Sequence, residues 1–372
     1  MNLRDNKLIT FLIAGALLLV APLIAQQFGN AWVRIIDIAL LYVLLALGLN
    51  IVVGYAGLLD LGYVAFYAVG AYMMGLLASP HLSMTFPAFA ATFPNGLHVP
   101  LWVVIPCGAA LAAVFGVLLG APTLKLRGDY LAIVTLGFGE IIRVFLLNLD
   151  SPVNITNGPK GLSQIDSFKF LGYDFGKPHS LFGIDIPSVT GYYYLFLFLV
   201  IISVIICHRL EQSRIGRAWM AIREDETAAK AMGINTRNMK LLAFGMGATF
   251  GGVSGVLFAS FQGFVSPESF SLHESVMIVA MVVLGGIGHI PGVIIGALLL
   301  AALPEVLRFV AGPLQQMTDG RLDAAILRQL LIATAMITIM LARPRGLWPV
   351  PEHGRMRPGS PDQDPAPKGT LS

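Results

Sequence analysis

Asp37, Asp60, Glu140 and Arg143 are ionisable side chains inside apolar runs long enough to cross a bilayer. A charge at the bilayer centre is costly, so each needs a partner, water or a transport role. Glu140 and Arg143 stand three residues apart, which puts them on one helix face where they can pair. That spacing suits a structural ion pair between packed helices or a proton relay. Asp60 follows the glycine-rich Gly54-Tyr55-Ala56-Gly57, where a carboxylate can staple the turn or contact a cargo directly. Asp37, near a span end, is expected to reach water. Familiar catalytic patterns are missing from the sequence. There is no Gly-x4-Gly-Lys-Ser/Thr phosphate loop, His-Glu-x-x-His, Cys-x-x-Cys or Gly-x-Ser-x-Gly. No catalytic residue and no metal ligand set is expected. Cys107 and Cys207 lie within apolar runs and read as small buried hydrophobes, not as a disulfide framework.

The elements that must position these groups are membrane helices. Of 372 residues, 56% are hydrophobic and 12% charged, against about 45–50% and about 25% in soluble domains. Too little polar surface remains to wet a soluble body of this size. That excludes a cytosolic enzyme, a nucleic-acid binder and a disordered scaffold, and a net charge of +3 implies no polyanionic partner. Forty Gly and 22 Phe suit close helix packing in lipid. At roughly 20 apolar residues per crossing, candidate spans are 8–28, 33–53, 57–77, 99–120, 129–149, 191–208, 239–261, 274–288, 290–310 and 326–342. The expected fold is all-α, a polytopic transmembrane bundle of about 8–10 spans with glycine-broken helices. Residues 1–30 form an uncleaved N-terminal signal-anchor span and 31–348 the main transmembrane domain. The tail, 349–372, lacks apolar periodicity and is expected to be disordered. Two pairs of spans are joined by glycine breaks, Gly54–Gly57 and Gly285-Gly286-Ile287-Gly288-His289-Ile290-Pro291-Gly292. Each can be a full hairpin or half-helices entering from one side. With the N-terminus inside, 16 Lys/Arg residues fall on the inner face and seven on the outer. The bias of basic residues puts both termini in the cytoplasm.

The longest outer loop is then 150–190, and the longest inner one 209–238. Within the latter, Ile215 to Gly233 reads as one amphipathic helix. Ile215, Ala218, Trp219, Ile222, Ala229 and Met232 recur at three- and four-residue steps, with Arg217, Glu224, Asp225 and Lys230 lying away from them. Glu226 interrupts the stripe, and Gly233-Ile234-Asn235 is a natural stop. Ala228, Ala229 and Ala231 allow another surface to approach the backbone. Such a helix either lies on the membrane surface or docks into a groove of a partner subunit.

The segment Glu226-Thr-Ala228-Ala229-Lys-Ala-Met-Gly233 resembles the docking loop of ABC importer permeases, usually Glu-Ala-Ala, three residues, then Gly. Ala228, Ala229 and Gly233 match, while Glu226 sits one residue early and Thr227 takes the usual Glu place. Longer blocks are similar to the branched-chain amino-acid ABC permeases. They run from Gly48 to Tyr72, from Leu126 to Arg143, over Asn157-Gly158-Pro159-Lys160-Gly161, and from Ser266-Pro267 to Gly292. Together they resemble the LivM-type subunit over residues 35–345. The resemblance implies one half of a heterodimeric pore in the bacterial inner membrane. Its partners would be a second related permease, two ABC ATPase subunits carrying ATP-Mg, a periplasmic substrate-binding protein and membrane lipid. The chain itself would bind no cofactor and catalyse no reaction. By the same resemblance, Trp219, Arg223, Glu224, Glu226, Ala228, Ala229 and Gly233 would couple to the ATPases. Glycine-broken helix ends can offer backbone groups to a cargo. Candidate path residues are Gly54, Gly57, Asp60, Gly62, Thr135, Glu140, Gly285, Gly286 and Gly288. The alternatives are a urea or short-chain amide ABC permease, and an ion-coupled secondary carrier working through Asp60 or Glu140. Gly54-Tyr-Ala-Gly57-Leu-Leu and Gly252-Val-Ser-Gly255-Val-Leu share a pattern that hints at internal duplication.

Overall fold

Runs of leucine, valine, alanine and glycine with few charges form long helices here because an apolar segment in lipid must satisfy its backbone internally. The computed structural model describes residues 15, 18–27, 29–124, 126, 128–170, 173–181, 184–317, 324–342 and 346–348. Most of the first half of the expected N-terminal span and the 349–372 tail lie outside the described residues. Helix α1 is Leu18–Gln27, and α2, Asn30–Leu49, continues through a π-helical turn at Asn50–Tyr55. Then come α3 (Val64–Leu77), two short helices α4 (His81–Thr85) and α5 (Pro87–Thr92), α6 (Leu101–Thr123) and α7 (Asp129–Asn148). An irregular excursion over 149–187 carries five short strands, β1 (Leu162–Ser163), β2 (Lys169–Phe170), β3 (Tyr173–Asp174), β4 (His179–Leu181) and β5 (Ile184–Ile186). Helices α8 (Ser188–Glu211), α9 (Arg214–Glu224), α10 (Glu226–Ala231) and α11 (Thr236–Gln262) follow. Strand β6 (Phe264–Val265) precedes α12 (Leu272–Gly285), α13 (Ile290–Met317) and α14 (Ala324–Ala342). Among the described residues, six stretches are long and apolar enough to cross a membrane.

Helix α11 is the axis of the bundle, with α6, α3 and α2 packed around it. Small residues make this possible: a Cβ at Gly70 would overlap the Gly252 carbonyl, so α3 and α11 touch backbone to backbone. Helix α2 runs antiparallel to α11, since Arg34 donates to Gln262 and Gly48 lies against Gly247.

Neither glycine-broken pair behaves as two simple spans. Helices α3 and α12 have 14 residues each, about 21 Å of helix against a hydrocarbon core of about 30 Å. The remainder of each crossing is irregular chain. Residues 56–63 climb from the face that carries α9 and α10 to Tyr63, whose hydroxyl donates to the Gly247 carbonyl (2.8 Å). Helix α3 then runs to the opposite face, where Gly75 meets Leu162 of the excursion. Residues 263–271 make the opposite descent. They leave the β1–β6 pairing (Leu162 opposite Val265), insert Phe270 against Tyr67 and Tyr72, and hand over to α12. Helix α12 runs toward the α9 face. The arrangement of long helix, break and half-helix thus occurs twice, in opposite senses: α2 to α3 and α11 to α12. This is an inverted repeat of the kind that builds transporters.

The repeat is not the one suggested by the Gly-x-small-Gly echo. Gly54 and Gly57 belong to the π turn and the break after it, whereas Gly252 and Gly255 lie in mid-α11 against α3. Asp37 also departs from expectation: it is buried, and both carboxylate oxygens lack a hydrogen-bond partner. Helix α8 packs along α2 and keeps water from it.

Candidate functional site

The stretch expected as one helix over 215–233 is two helices meeting at a corner. Ser213 caps α9, its Oγ accepting from the Gly216 N–H (3.1 Å). Asp225 has extended backbone and caps α10, with Oδ1 accepting from the N–H groups of Thr227 (2.7 Å) and Ala228 (3.1 Å). An aspartate with two free N–H groups downstream is a strong helix start, and here it outcompetes continuation of α9. Trp219 is wholly buried, and its Nε1–H donates to the Met239 carbonyl (2.7 Å), fixing α9 to the first turn of α11. Glu226 explains the interruption of the apolar stripe. It turns inward to pair with Lys240 (2.8 Å) and Lys230 (3.0 Å), clamping α10 to α11. The Lys240 side chain is only 7% exposed, so the pair is largely shielded from water. Hydrogen bonds from Lys240 outweigh desolvation and hold the Glu226 carboxyl down at about 2. Ala229 is buried beneath the loop, whereas Glu224, Ala228 and Gly233 are exposed. Met232, expected on the buried stripe, is 83% exposed, and Met220 is exposed beside it.

Arg223 is exposed as well, but its guanidinium reaches inward. Its Nη1 donates to the Gly54 carbonyl (2.6 Å) in the π turn that ends α2. Gly57 holds a positive φ of 68° with its α-carbon against the Arg223 stem, and Gly288 lies beside the guanidinium. The Gly288 N–H donates to Asn50 Oδ1 (2.9 Å), which ties the α12–α13 turn to the same π turn. Residues expected in two separate roles, coupling and path, therefore converge on one junction. Gly285 packs against Gly292 where α12 and α13 cross, and Gly286 lies against Gly346. The 346–348 segment straps the end of α12, with the N–H groups of Leu347 and Trp348 donating to the carbonyls of Leu284 (2.8 Å) and Gly285 (3.2 Å). Those carbonyls would otherwise be orphans of the helix terminus.

Deeper in the bundle the two half-helices meet N-terminus to N-terminus. Ser275 in the first turn of α12 donates to the Leu61 carbonyl and accepts from the Val64 N–H (3.5 Å) at the start of α3. Each terminus carries partial positive charge, so the meeting point favours an anionic group. Asp60 lies just before α3 and is fully buried, with Oδ1 accepting from Gly62 N–H (2.9 Å) and Oδ2 without a partner. Thr135 Oγ1 accepts from the Leu61 N–H (3.0 Å), and a Cβ at Gly62 would overlap the Thr135 carbonyl. A cavity of about 10 Å³, room for one water, lies among Asp60, Thr135, Phe66 and Phe138. Glu140 pairs with Arg143 (2.9 Å), which also faces Glu268 at 4.0 Å. Tyr42, in mid-α2, donates to Glu274 Oε2 (2.7 Å).

Sequence reasoning missed Tyr42, Asn50, Lys240, Glu268, Glu274 and Ser275. Asn50 was the most accessible of these, as a lone amide inside an apolar run. Glu268 precedes a short apolar helix whose first turn holds Glu274 and Ser275, and all three read as ordinary polarity at a span end until the break carries them into the bundle.

Residues 31–340 match the family model described as branched-chain amino acid transport system / permease component. The chain is 40% identical over 347 residues to the high-affinity branched-chain amino acid transport system permease protein LivM of Escherichia coli, covering 90% of this chain and 74% of that one. It is 27% identical over 263 residues to the LivH permease protein of the same organism, covering 70% and 79%. The BraD permease protein of Pseudomonas aeruginosa is likewise 27% identical over 263 residues, with the same coverage. No solved structure matches the chain.

Proposed function

Because this chain belongs to the family of branched-chain amino acid transport permeases, we propose that it is one permease subunit of an ATP-driven importer. It moves leucine, isoleucine and valine through the bacterial inner membrane. The bias of basic residues in the sequence, 16 against seven, supports a cytoplasmic location for the α9 face and both termini. The exposed side of α9 and α10, with Met220, Ala228, Met232 and Gly233, then meets an ATPase subunit, and the 149–187 excursion faces a delivering binding protein. ATP-Mg is bound by the ATPases. A second, related permease completes the pore.

The work of this chain is mechanical. When the ATPase pair closes, α9 and α10 move as a body, because Trp219 and Glu226 pin them to α11. Arg223 carries the movement to the Gly54 carbonyl and the Gly57 and Gly288 turns, where the two inverted halves come together. A shift there separates or joins the half-helices α3 and α12. The cargo is a zwitterion with an apolar side chain. Its carboxylate suits the paired helix N-termini, and its side chain suits the small and apolar surfaces around them. Tight binding in the pore would slow release, so affinity belongs to the binding protein.

The cargo rests on the family, and the coupling rests on one observation, the hydrogen bond from Arg223 to Gly54. The test is labelled leucine uptake into proteoliposomes holding this chain with its permease, ATPase and binding-protein partners. Uptake should require ATP and should be competed by isoleucine and valine but not by urea. Uptake by the lone chain without nucleotide would contradict the reading.

A further inference from the structure

The last turn of α6 opens onto a basic hollow. A cavity of about 410 Å³ lies where α6 ends beside α10 and the start of α11, which is the size of a small-molecule site. Ala121 and Leu124 line it on one side, and Glu226, Lys230, Arg237 and Lys240 on the other. Glu226 is shared between the two lysines, and among the described residues Arg237 has no ion pair. Three cations against one carboxylate leave two positive charges uncompensated. Lys240 backs the hollow, with 7% of its side chain exposed, whereas Lys230 and Arg237 are exposed at its mouth.

The other wall runs into the membrane-facing surface. Val114, Val117, Leu118 and Ala121 recur at three- and four-residue steps down one face of α6, and Leu124 follows three residues later. All but the half-buried Leu124 are exposed. On α11, Gly245 lies against Val117, and Leu242, three residues before Gly245 on the same face, is exposed too. An apolar track about 10 Å long thus leads from the exposed side of α6 into a cluster of cations.

We propose that this hollow binds the phosphodiester headgroup of an anionic membrane phospholipid, whose acyl chains lie along the α6 track from Ala121 to Val114. The phosphate sits between Lys230 of α10 and Arg237 of α11, with Lys240 behind it. Basic pockets between helices at the membrane boundary hold such headgroups by charge. A zwitterionic headgroup suits the site less, because its own ammonium enters an excess of positive charge. Free phosphate satisfies the cations and leaves the track bare. Bound lipid adds a second bridge between α10 and α11 beside the Glu226 clamp. The site depends only on the chain being embedded in a membrane, and it stands apart from the cargo and from the coupling route.

Native mass spectrometry of the full chain in detergent, with phosphatidylglycerol or phosphatidylcholine added, tests this. Wild type should hold one phosphatidylglycerol at least about tenfold more tightly than phosphatidylcholine. Lys230→Gln with Arg237→Gln should remove that preference. Arg209→Gln, which takes an exposed charge from the end of α8, should leave it unchanged. Phosphatidylglycerol should raise the melting temperature of wild type more than it raises that of the double variant, and inorganic phosphate at the same concentration should not raise either. A lipid-free melting curve checks that the variants fold. If the double variant does not, Arg237→Gln alone carries the test, since it strands no partner, and it should weaken phosphatidylglycerol at least about threefold. Equal retention of the two lipids, an equal loss in Arg209→Gln, or equal stabilisation by inorganic phosphate would overturn the proposal.

Discussion

Glu226 and Arg223 are neighbours in sequence and do different jobs. Glu226 is held by two lysines, and removing its charge leaves Lys240 buried and uncompensated. Glu226→Gln should destabilise the α10–α11 contact by about 2–3 kcal/mol, seen as a lower melting temperature of the detergent-solubilised protein. Glu226→Gln with Lys240→Met should recover much of that loss, because no charge is then stranded. The pH dependence follows from the direction of the shift. The folded carboxyl sits at about 2 against an ordinary 4.5. Its stabilisation is therefore complete above pH 4.5, falls between 4.5 and about 2, and is absent below. Amide exchange in α10 should be indifferent to this group from pH 5 upward. The sequence marked both residues through the docking-loop resemblance, but not their directions. Helical spacing tells which residues share a face; it does not tell that Asp225 turns a corner and aims Glu226 inward.

At the scale of elements, the breaks and the glycines beside them carry the architecture. Gly62 has no room for a side chain against the α7 backbone, and Gly70 has none against α11. Gly70→Ala should cost about 1–3 kcal/mol through enforced separation of α3 from α11. Gly120→Ala should cost less, because its Cβ would meet the Phe244 side chain at 3.1–3.2 Å and no backbone atom, whereas at Gly70 it would overlap the Gly252 carbonyl. Thermal unfolding of both variants in one detergent gives the comparison. Gly62→Val should lower expression of folded protein and raise protease sensitivity of the 56–63 break. The long helices could be read from hydropathy alone, with ends a few residues off. The half-helices could not, because the hydropathy of 57–77 is continuous whether residues 57–63 coil or extend. What decides is tertiary: Tyr63 and Leu61 find hydrogen bonds with Gly247, Thr135 and Ser275 that a regular helix would forgo.

At the scale of the molecule, two inverted halves share a central junction, and a surface element reaches into it through a single guanidinium. In the proposed importer, a movement of α9 driven by an ATPase would reach the helix breaks directly through Arg223, beside the route through α11 that Trp219 and Glu226 provide. Replacing Met232 by Glu on the exposed face should weaken ATPase binding to purified importer without unfolding this chain, which a pull-down with a melting curve would register. The family and its cargo were readable from ordered sequence blocks. The connection between coupling loop and glycine breaks was not, since Arg223 and Gly54 lie 169 residues apart. The most direct test is the ratio of leucine moved to ATP hydrolysed in reconstituted importer carrying Arg223→Met. The variant should assemble and still hydrolyse ATP while leucine uptake falls at least tenfold, and a wild-type ratio would rule out Arg223 as a coupling residue.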